Sequence, residues 1–200
     1  PCPYHPGRVG LNRMNGDQNK AFDVLSAAPL FHSLPETSRR QLFAASRLVQ
    51  LRKGQRLFGR GDEGGTMFAV VDGVVEISVS MPSGRKIALN MMVSGNCFGE
   101  MSVLDGAQRS ADATALQATT LLSIPRQAFM RAAREQPDLA LALAQLLSER
   151  IRWISDSLED YALLPLDRRL ARRLLILFDR FADASQQIDM SQADVADFVG

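Results

Sequence analysis

The chain has 200 residues, 46% of them hydrophobic and 22% charged, with a formal net charge of +1. That suits one large domain, or one domain plus part of another, and the overall charge points to no particular partner. Cys2 and Cys97 are far apart and His5 and His32 are the only histidines, so no disulfide framework, metal site, haem or iron–sulfur cluster is expected. No apolar run approaches ~18 residues and no signal-peptide pattern opens the chain, so no membrane partner is expected and a cytoplasmic protein is the default.

Residues 1–19 are rich in Pro, Gly, Asn and Arg without periodicity and read as a flexible lead-in, within which Met14 is a candidate start. From Lys20 to Ala45 two short helices are expected. The first holds Phe22, Val24 and Leu25; the second starts after Leu34-Pro35, with Glu36 and Thr37 in its first turn and Leu42, Phe43 and Ala44 as apolar bulk. From Leu48 to Ile124 the pattern changes to short strand-like runs: 48–51, 67–71, 74–79, 86–91 and more strand over 113–124. Glycines punctuate them, and Pro82-Ser83-Gly84 reads as a hairpin turn, so a barrel or jelly roll is expected.

Beyond Pro125 the chain reads as helical. Gln127 to Glu135 makes a short helix, and Pro137 suits the first position of the next, where its missing N–H costs nothing. A long helix then runs from Asp138 to about Leu164. Leu147, Ile151, Ile154, Leu158 and Tyr161 recur along it at the spacing of a coiled-coil seam. The plainer alternative is that this stripe packs on its own barrel; the helix's length favours a dimer seam. Pro165 breaks the helix. Asp167 precedes a further helix, Arg168 to Phe181, with Leu170, Leu174, Leu175 and Phe178 on one face and arginines on the other. After a polar loop, 183–187, a small strand is expected at 188–190. Ser191-Gln192-Ala193-Asp194 then caps a last helix carrying Val195, Ala196, Phe198 and Val199.

The stretch that carries the chemistry is Phe98-Gly99-Glu100-Met101-Ser102-Val103-Leu104-Asp105-Gly106-Ala107-Gln108-Arg109-Ser110-Ala111. A glycine lets backbone approach a ligand closely, and a helical turn starting there aims free N–H groups at an anion. An arginine offers phosphate two parallel hydrogen bonds, and a glutamate accepts from a sugar hydroxyl. Alone, the stretch promises an anion site. The plainer reading of Arg109 is a surface arginine paired with Asp105 or Asp112, and of Ser110 a turn residue. Cys97 reads as a small buried hydrophobe instead of a redox sensor.

Lys53-Gly54-Gln55-Arg56-Leu57-Phe58 with Gly61-Asp62, then Val71-Asp72-Gly73-Val74-Val75, Gly95-Asn96-Cys97-Phe98-Gly99-Glu100 and Arg109-Ser110-Ala111, occur in that order. Together they resemble the cyclic-nucleotide-binding β-roll, and with the long helix they resemble the cyclic-AMP receptor and FNR-type transcription regulators over roughly residues 22–200. The resemblance implies an α+β fold in four parts. Residues 1–19 are a flexible N-terminal segment, and 20–137 a jelly-roll-like β-roll with flanking helices, the cyclic-nucleotide-binding domain. Residues 138–164 form a dimerisation helix, and 165–200 the start of a winged helix-turn-helix whose recognition helix is expected after Gly200.

The resemblance also implies roles. Arg109 and Ser110, with neighbouring backbone through Ala111, would hold the cyclic phosphate; Gly99 and Glu100, with Met101 beside them, would hold the ribose. Aligning back from Tyr161-Ala162-Leu163-Leu164, Arg150, Ile154 and Ser155 fall where the purine is read, partly from the partner subunit's helix. Ile154 departs from the family by placing an apolar side chain where a hydroxyl normally meets the adenine amino group; it also fits the coiled-coil seam. Arg168, Arg169, Ser191 and Gln192 are candidate DNA contacts, against the plainer reading of a solvated charged face.

The expected function is therefore a ligand-responsive, non-enzymatic DNA-binding regulator. It would act as a homodimer through residues 138–164, with cyclic AMP as effector, a DNA operator as partner and RNA polymerase as a further candidate partner. The same architecture with a non-nucleotide effector or none is the alternative. A cyclic-nucleotide sensor domain of a kinase or channel is a third reading, opposed by the helix-turn-helix start at Ser191. A metal-dependent cupin-type enzyme, a fourth, is opposed by the scarcity of histidines.

Overall fold

The computed structural model describes residues 11–80, 86–181 and 196. Helices α1 (Leu11–Ala27) and α2 (Glu36–Ala44) lead into strands β1 (Arg47–Leu51), β2 (Arg56–Phe58), β3 (Thr66–Asp72), β4 (Val75–Ser80), β5 (Lys86–Met92) and β6 (Cys97–Phe98). A short helix α3 (Glu100–Asp105), strands β7 (Asp112–Ala115) and β8 (Thr119–Pro125), and helices α4 (Arg126–Glu135), α5 (Pro137–Leu163) and α6 (Leu166–Phe181) complete the order.

The strands form two four-stranded sheets with orders β1-β8-β3-β6 and β2-β7-β4-β5, all pairs antiparallel. This is the jelly-roll-like β-roll that the glycine-punctuated strands predict. Strand β3 explains the layering. Its sequence Thr-Met-Phe-Ala-Val-Val-Asp is apolar on both faces because both are covered. Phe68 and Val70 point between the sheets with Val75, Met92, Phe98, Ala113 and Leu121. Met67, Ala69 and Val71 point the other way, against Leu25, Phe31, Phe129 and Leu139 of the helical layer. Phe31 and Phe129 meet edge to face at 6.4 Å, and each is fully buried, worth roughly 1.5–3 kcal/mol in transfer alone.

Two sequence expectations need correction. The lead-in assigned to residues 1–19 is helical from Leu11 onward, because α1 runs through Ala27. Ala21 and Leu25 lock its C-terminal half into the core. Extending a helix outward from a packed turn is easy, even through Asn and Gly. Helix α6 likewise starts at Leu166, directly after Pro165, whereas Asp167 was expected to precede a helix from Arg168. The hairpin turn at 82–84, the small strand at 188–190 and the cap at Ser191 lie outside the described residues.

Helix α5 is 27 residues long, about 40 Å at ~1.5 Å per residue. Leu139 and Leu143 are buried against the roll and Leu147 packs at its edge. Ile151, Ile154 and Leu158 do not pack on the barrel; they are 64%, 51% and 64% exposed. Leu164 ends the helix in extended conformation (φ −96°, ψ 134°), and Pro165 follows. Helix α6 then folds back, setting Leu177 against Ala88 and Met91 of β5.

Candidate functional site

The cassette begins where β6 turns into α3. Gly99 makes the turn at φ +79°, and a Cβ there would stand 2.7 Å from Arg109 Nη1 and 3.3 Å from the Thr66 carbonyl oxygen. Both the backbone conformation and the close approach of the arginine demand glycine. The loop before β3 closes over the other side. Gly61 donates its N–H to the Arg109 carbonyl and Arg109 donates its own to the Asp62 carbonyl, both at 2.9 Å. A Cβ on Gly64 would lie 2.2 Å from that of Ser102, so the loop can settle on α3 only as glycine. From α4, Arg126 Nε donates to the Val103 carbonyl at 2.6 Å and ties the end of α3 to the helical layer.

Arg109 is only 6% exposed. Its Nη1 donates to Ser102 Oγ (2.8 Å) and to the Gly99 carbonyl (3.1 Å), and its Nη2 donates to Thr66 Oγ1 (3.1 Å). The guanidinium carbon lies 4.2 Å from the centre of the Phe58 ring and 5.6 Å from that of Phe68. Burial pulls the Arg109 pKa below the usual arginine value while Glu100 and Asp62 oppose the shift; the group stays a cation. The surface pairing with Asp105 or Asp112 does not occur. Asp105 accepts from the Ala107 N–H (2.8 Å), and Asp112 accepts from Arg56 (2.9 Å), the Arg60 N–H (2.9 Å) and the Ser80 hydroxyl (3.1 Å). Burial works to raise the Asp112 pKa, but those donors outweigh it and hold the carboxyl below its usual range.

Glu100 is 1% exposed. Its Oε1 accepts from Arg150 Nη1 at 2.6 Å, while Oε2 has no hydrogen-bond partner among the described residues. Arg150, from the middle of α5, also donates through Nη2 to the Cys97 carbonyl, so the long helix is tied to the strand that enters the cassette. The Cys97 thiol itself is buried and pushed up to about 12, chiefly by burial, with Arg150 opposing and Glu100 adding to the shift. It is a neutral, unreactive packing group.

These residues line a cavity that opens to solvent. Phe58, Ile77 and Phe98 supply an apolar wall; Glu100, Arg109, Ser110 and Arg150 supply the polar one. Gly99, Met101, Ser102 and Ala111 complete the lining. Met101 is half exposed, and the Ser110 hydroxyl donates to its sulfur at 3.6 Å. Ile154 and Ser155 are not brought to this cavity. Both are exposed on α5, and Ser155 Oγ donates to the Ile151 carbonyl at 3.0 Å.

On α6, Arg168 is exposed and Arg169 stacks 4.6 Å from the centre of the Tyr161 ring. Arg172 pairs with buried Asp160 at 2.5 Å, and Arg173 is buried over Trp153 and Tyr161. Ser191 and Gln192 lie outside the described residues. Thr66, Ser102 and Ile77 were missed by sequence reasoning because their types carry no chemical signal alone; only the packing of β3 and β4 beside α3 gives them a role. Among the described residues no group of three or more His, Cys, Asp or Glu could hold a metal ion, and no helix is long and apolar enough to cross a membrane.

Residues 48–136 match the cyclic nucleotide-binding domain family. The chain is 26% identical over 183 residues to the CRP-like cAMP-activated global transcriptional regulator of Mycobacterium tuberculosis, spanning 89% of this chain and 82% of that one. The crystal structure of Thermus thermophilus catabolite activator protein is 31% identical, with a TM-score of 0.61 over 76% of this chain and 71% of that one. The c-di-GMP responsive global regulator CLP of Xanthomonas campestris, 21% identical, shares the fold with a TM-score of 0.72 over 83% of this chain and 85% of its own. Roll, cassette and long helix follow one another here as the sequence resemblance requires, and the chain belongs to the cyclic-AMP receptor and FNR-type family of transcription regulators, with its cyclic nucleotide-binding domain over residues 48–136.

Proposed function

We propose that the cavity binds a cyclic nucleotide, cyclic AMP in the first place, and that binding controls the attachment of a homodimer to a DNA operator. One observation carries this reading: a buried cation and a buried carboxylate line the same cavity, and among the described residues Arg109 Nε and Glu100 Oε2 have no hydrogen-bond partner. Buried polar groups are normally satisfied, so each awaits a partner of opposite character. A cyclic phosphate is an acceptor for Arg109, joined by the Ser110 hydroxyl. A ribose 2′-hydroxyl is a donor for Glu100, whose other oxygen stays with Arg150.

That last contact supplies the coupling. Ligand held by Glu100 acts on Arg150 and so on α5, whose exposed Ile151, Ile154, Leu158 and Tyr161 are the surface offered to a second subunit. Ile154 and Ser155, outside this subunit's cavity, would then reach the purine in the partner's. Movement of α5 passes through Leu164-Pro165 to α6 and the DNA-binding domain, with RNA polymerase as a further partner. The ligand switches the protein only if it prefers the DNA-competent arrangement. The role is one of binding without catalysis, in the cytoplasm.

Calorimetric titration with cyclic AMP and cyclic GMP tests the reading. Arg109→Ala should weaken binding by about a hundredfold or more, the scale of a buried charge-assisted pair. Unchanged affinity overturns the phosphate role. A second reading, a non-nucleotide effector or none, draws on the apolar Ile154; operator binding that ignores every cyclic nucleotide is its signature.

A further inference from the structure

The Nη1 end of Arg109 is fully engaged inside the protein. Nη1 carries two hydrogens and donates to two acceptors, Ser102 Oγ and the Gly99 carbonyl. Ser102 cannot turn away, because its own hydroxyl donates to the same Gly99 carbonyl at 3.2 Å and Gly64 sits against its Cβ. Nη2 spends one hydrogen on Thr66 Oγ1, from the start of β3. Phe58 covers one face of the guanidinium plane. What remains without a protein acceptor among the described residues is the Nε–H, the donor edge of the guanidinium left for a phosphate oxygen.

We propose that Ser102 and Thr66 are positioning residues for the ligand's phosphate: by holding Nη1 and Nη2 they turn the free edge of Arg109 to the cavity, and so decide which exocyclic phosphate oxygen is recognised. Neither hydroxyl touches the ligand in this scheme. Their contribution is orientation, since a guanidinium free to swivel would offer either oxygen the same donors. The inference rests on the cyclic-nucleotide reading above and goes beyond it in assigning the stereochemistry of recognition to two side chains hydrogen-bonded to the arginine.

The test uses the full chain and the two phosphorothioate diastereomers of cyclic AMP, in which one or the other exocyclic oxygen is sulfur. The measured quantity is the ratio of their dissociation constants, with cyclic AMP itself as reference. Thr66→Val keeps the side-chain shape and removes the acceptor; Ser102→Ala does the same for Nη1; Thr66→Ser restores the hydroxyl. The double variant should bind cyclic AMP about tenfold more weakly, and its diastereomer ratio should collapse towards one. Each single change should give part of that collapse, and Thr66→Ser should keep the wild-type ratio. A merely structural role would weaken both diastereomers equally and leave the ratio unmoved, and that result in the single and double variants overturns the proposal while leaving the nucleotide reading intact. Wild-type protein that binds no cyclic nucleotide overturns both.

Discussion

Around Arg109 the chain closes on itself. Two hydroxyls, a carbonyl and an aromatic face hold one guanidinium, and the backbone of the same residue is clamped by Gly61 and Asp62. Along α5 from Ile151 onward the reverse holds: large apolar side chains stand in solvent, and of the three positions matched to base recognition Ile154 and Ser155 lie outside the cavity, Arg150 alone lining it. On the proposed dimer, the difference separates what one subunit builds alone from what it leaves to a second. A cation is desolvated at bearable cost where most of its contacts are already in place, so all but the ligand's share of the phosphate half is assembled within the chain. An apolar stripe keeps until a matching surface covers it, and exposed patches of this kind mark interaction sites.

The largest effect that tests this contrast is on the stripe. Ile151→Asp together with Leu158→Asp should shift the protein from dimer to monomer, with the dissociation constant of the dimer raised by about a hundredfold or more. Sedimentation velocity across a concentration series measures it. Nucleotide binding to the phosphate half should persist in the monomer, weakened but present. If dimerisation survives the two charges, the stripe is not the interface.

Next in size is an effect confined to the closed region. Asp112 anchors the loop that clamps Arg109, through Arg56, the Arg60 N–H and the Ser80 hydroxyl. Its pKa in the fold lies below the ordinary value of 3.8, so it contributes stability above about that pH. The contribution is lost as pH falls through the lower, folded value. Asp112→Ala should cost about 1–3 kcal/mol at neutral pH, the desolvation penalty for donors left without an acceptor. Acid titration of the denaturation midpoint should show a shallower fall in the variant below pH ~4 than in the wild type. An unchanged acid limb would remove Asp112 from the account.

How much of this was legible in the sequence follows from how local each feature is. The cassette could be read because Gly99, Glu100, Arg109 and Ser110 lie within one short segment, and the roll because glycines bracket its strands. Thr66 could not be read: β3 brings it to Arg109 across the sheet, and a threonine at the start of a strand has a sufficient explanation in β propensity. The Arg150–Glu100 contact could not be read: the resemblance set Arg150 at the purine, and its partners Glu100 and Cys97 are distant from it in sequence. The start of α1 was misplaced because local composition argued for a loop, whereas packing at Ala21 and Leu25 decided the matter further along.

The smallest effect concerns Ile154, and it separates the two regions most finely. If α5 reads the purine across a dimer, Ile154→Thr supplies a hydroxyl that can accept from or donate to the base and keeps the branching at Cβ, at the loss of one methyl from the seam. One added hydrogen bond, net of the water it displaces, is worth about 1 kcal/mol, so the preference for cyclic AMP over cyclic GMP should change by only about fivefold. The change should appear in the dimer and vanish in the Ile151→Asp, Leu158→Asp background, because the side chain is turned away from its own subunit's cavity. Competition titrations with both nucleotides in both backgrounds make the comparison. A shift of equal size in the monomer would mean that Ile154 reaches the base within its own chain, and the division between a self-built phosphate half and a shared base half would fail.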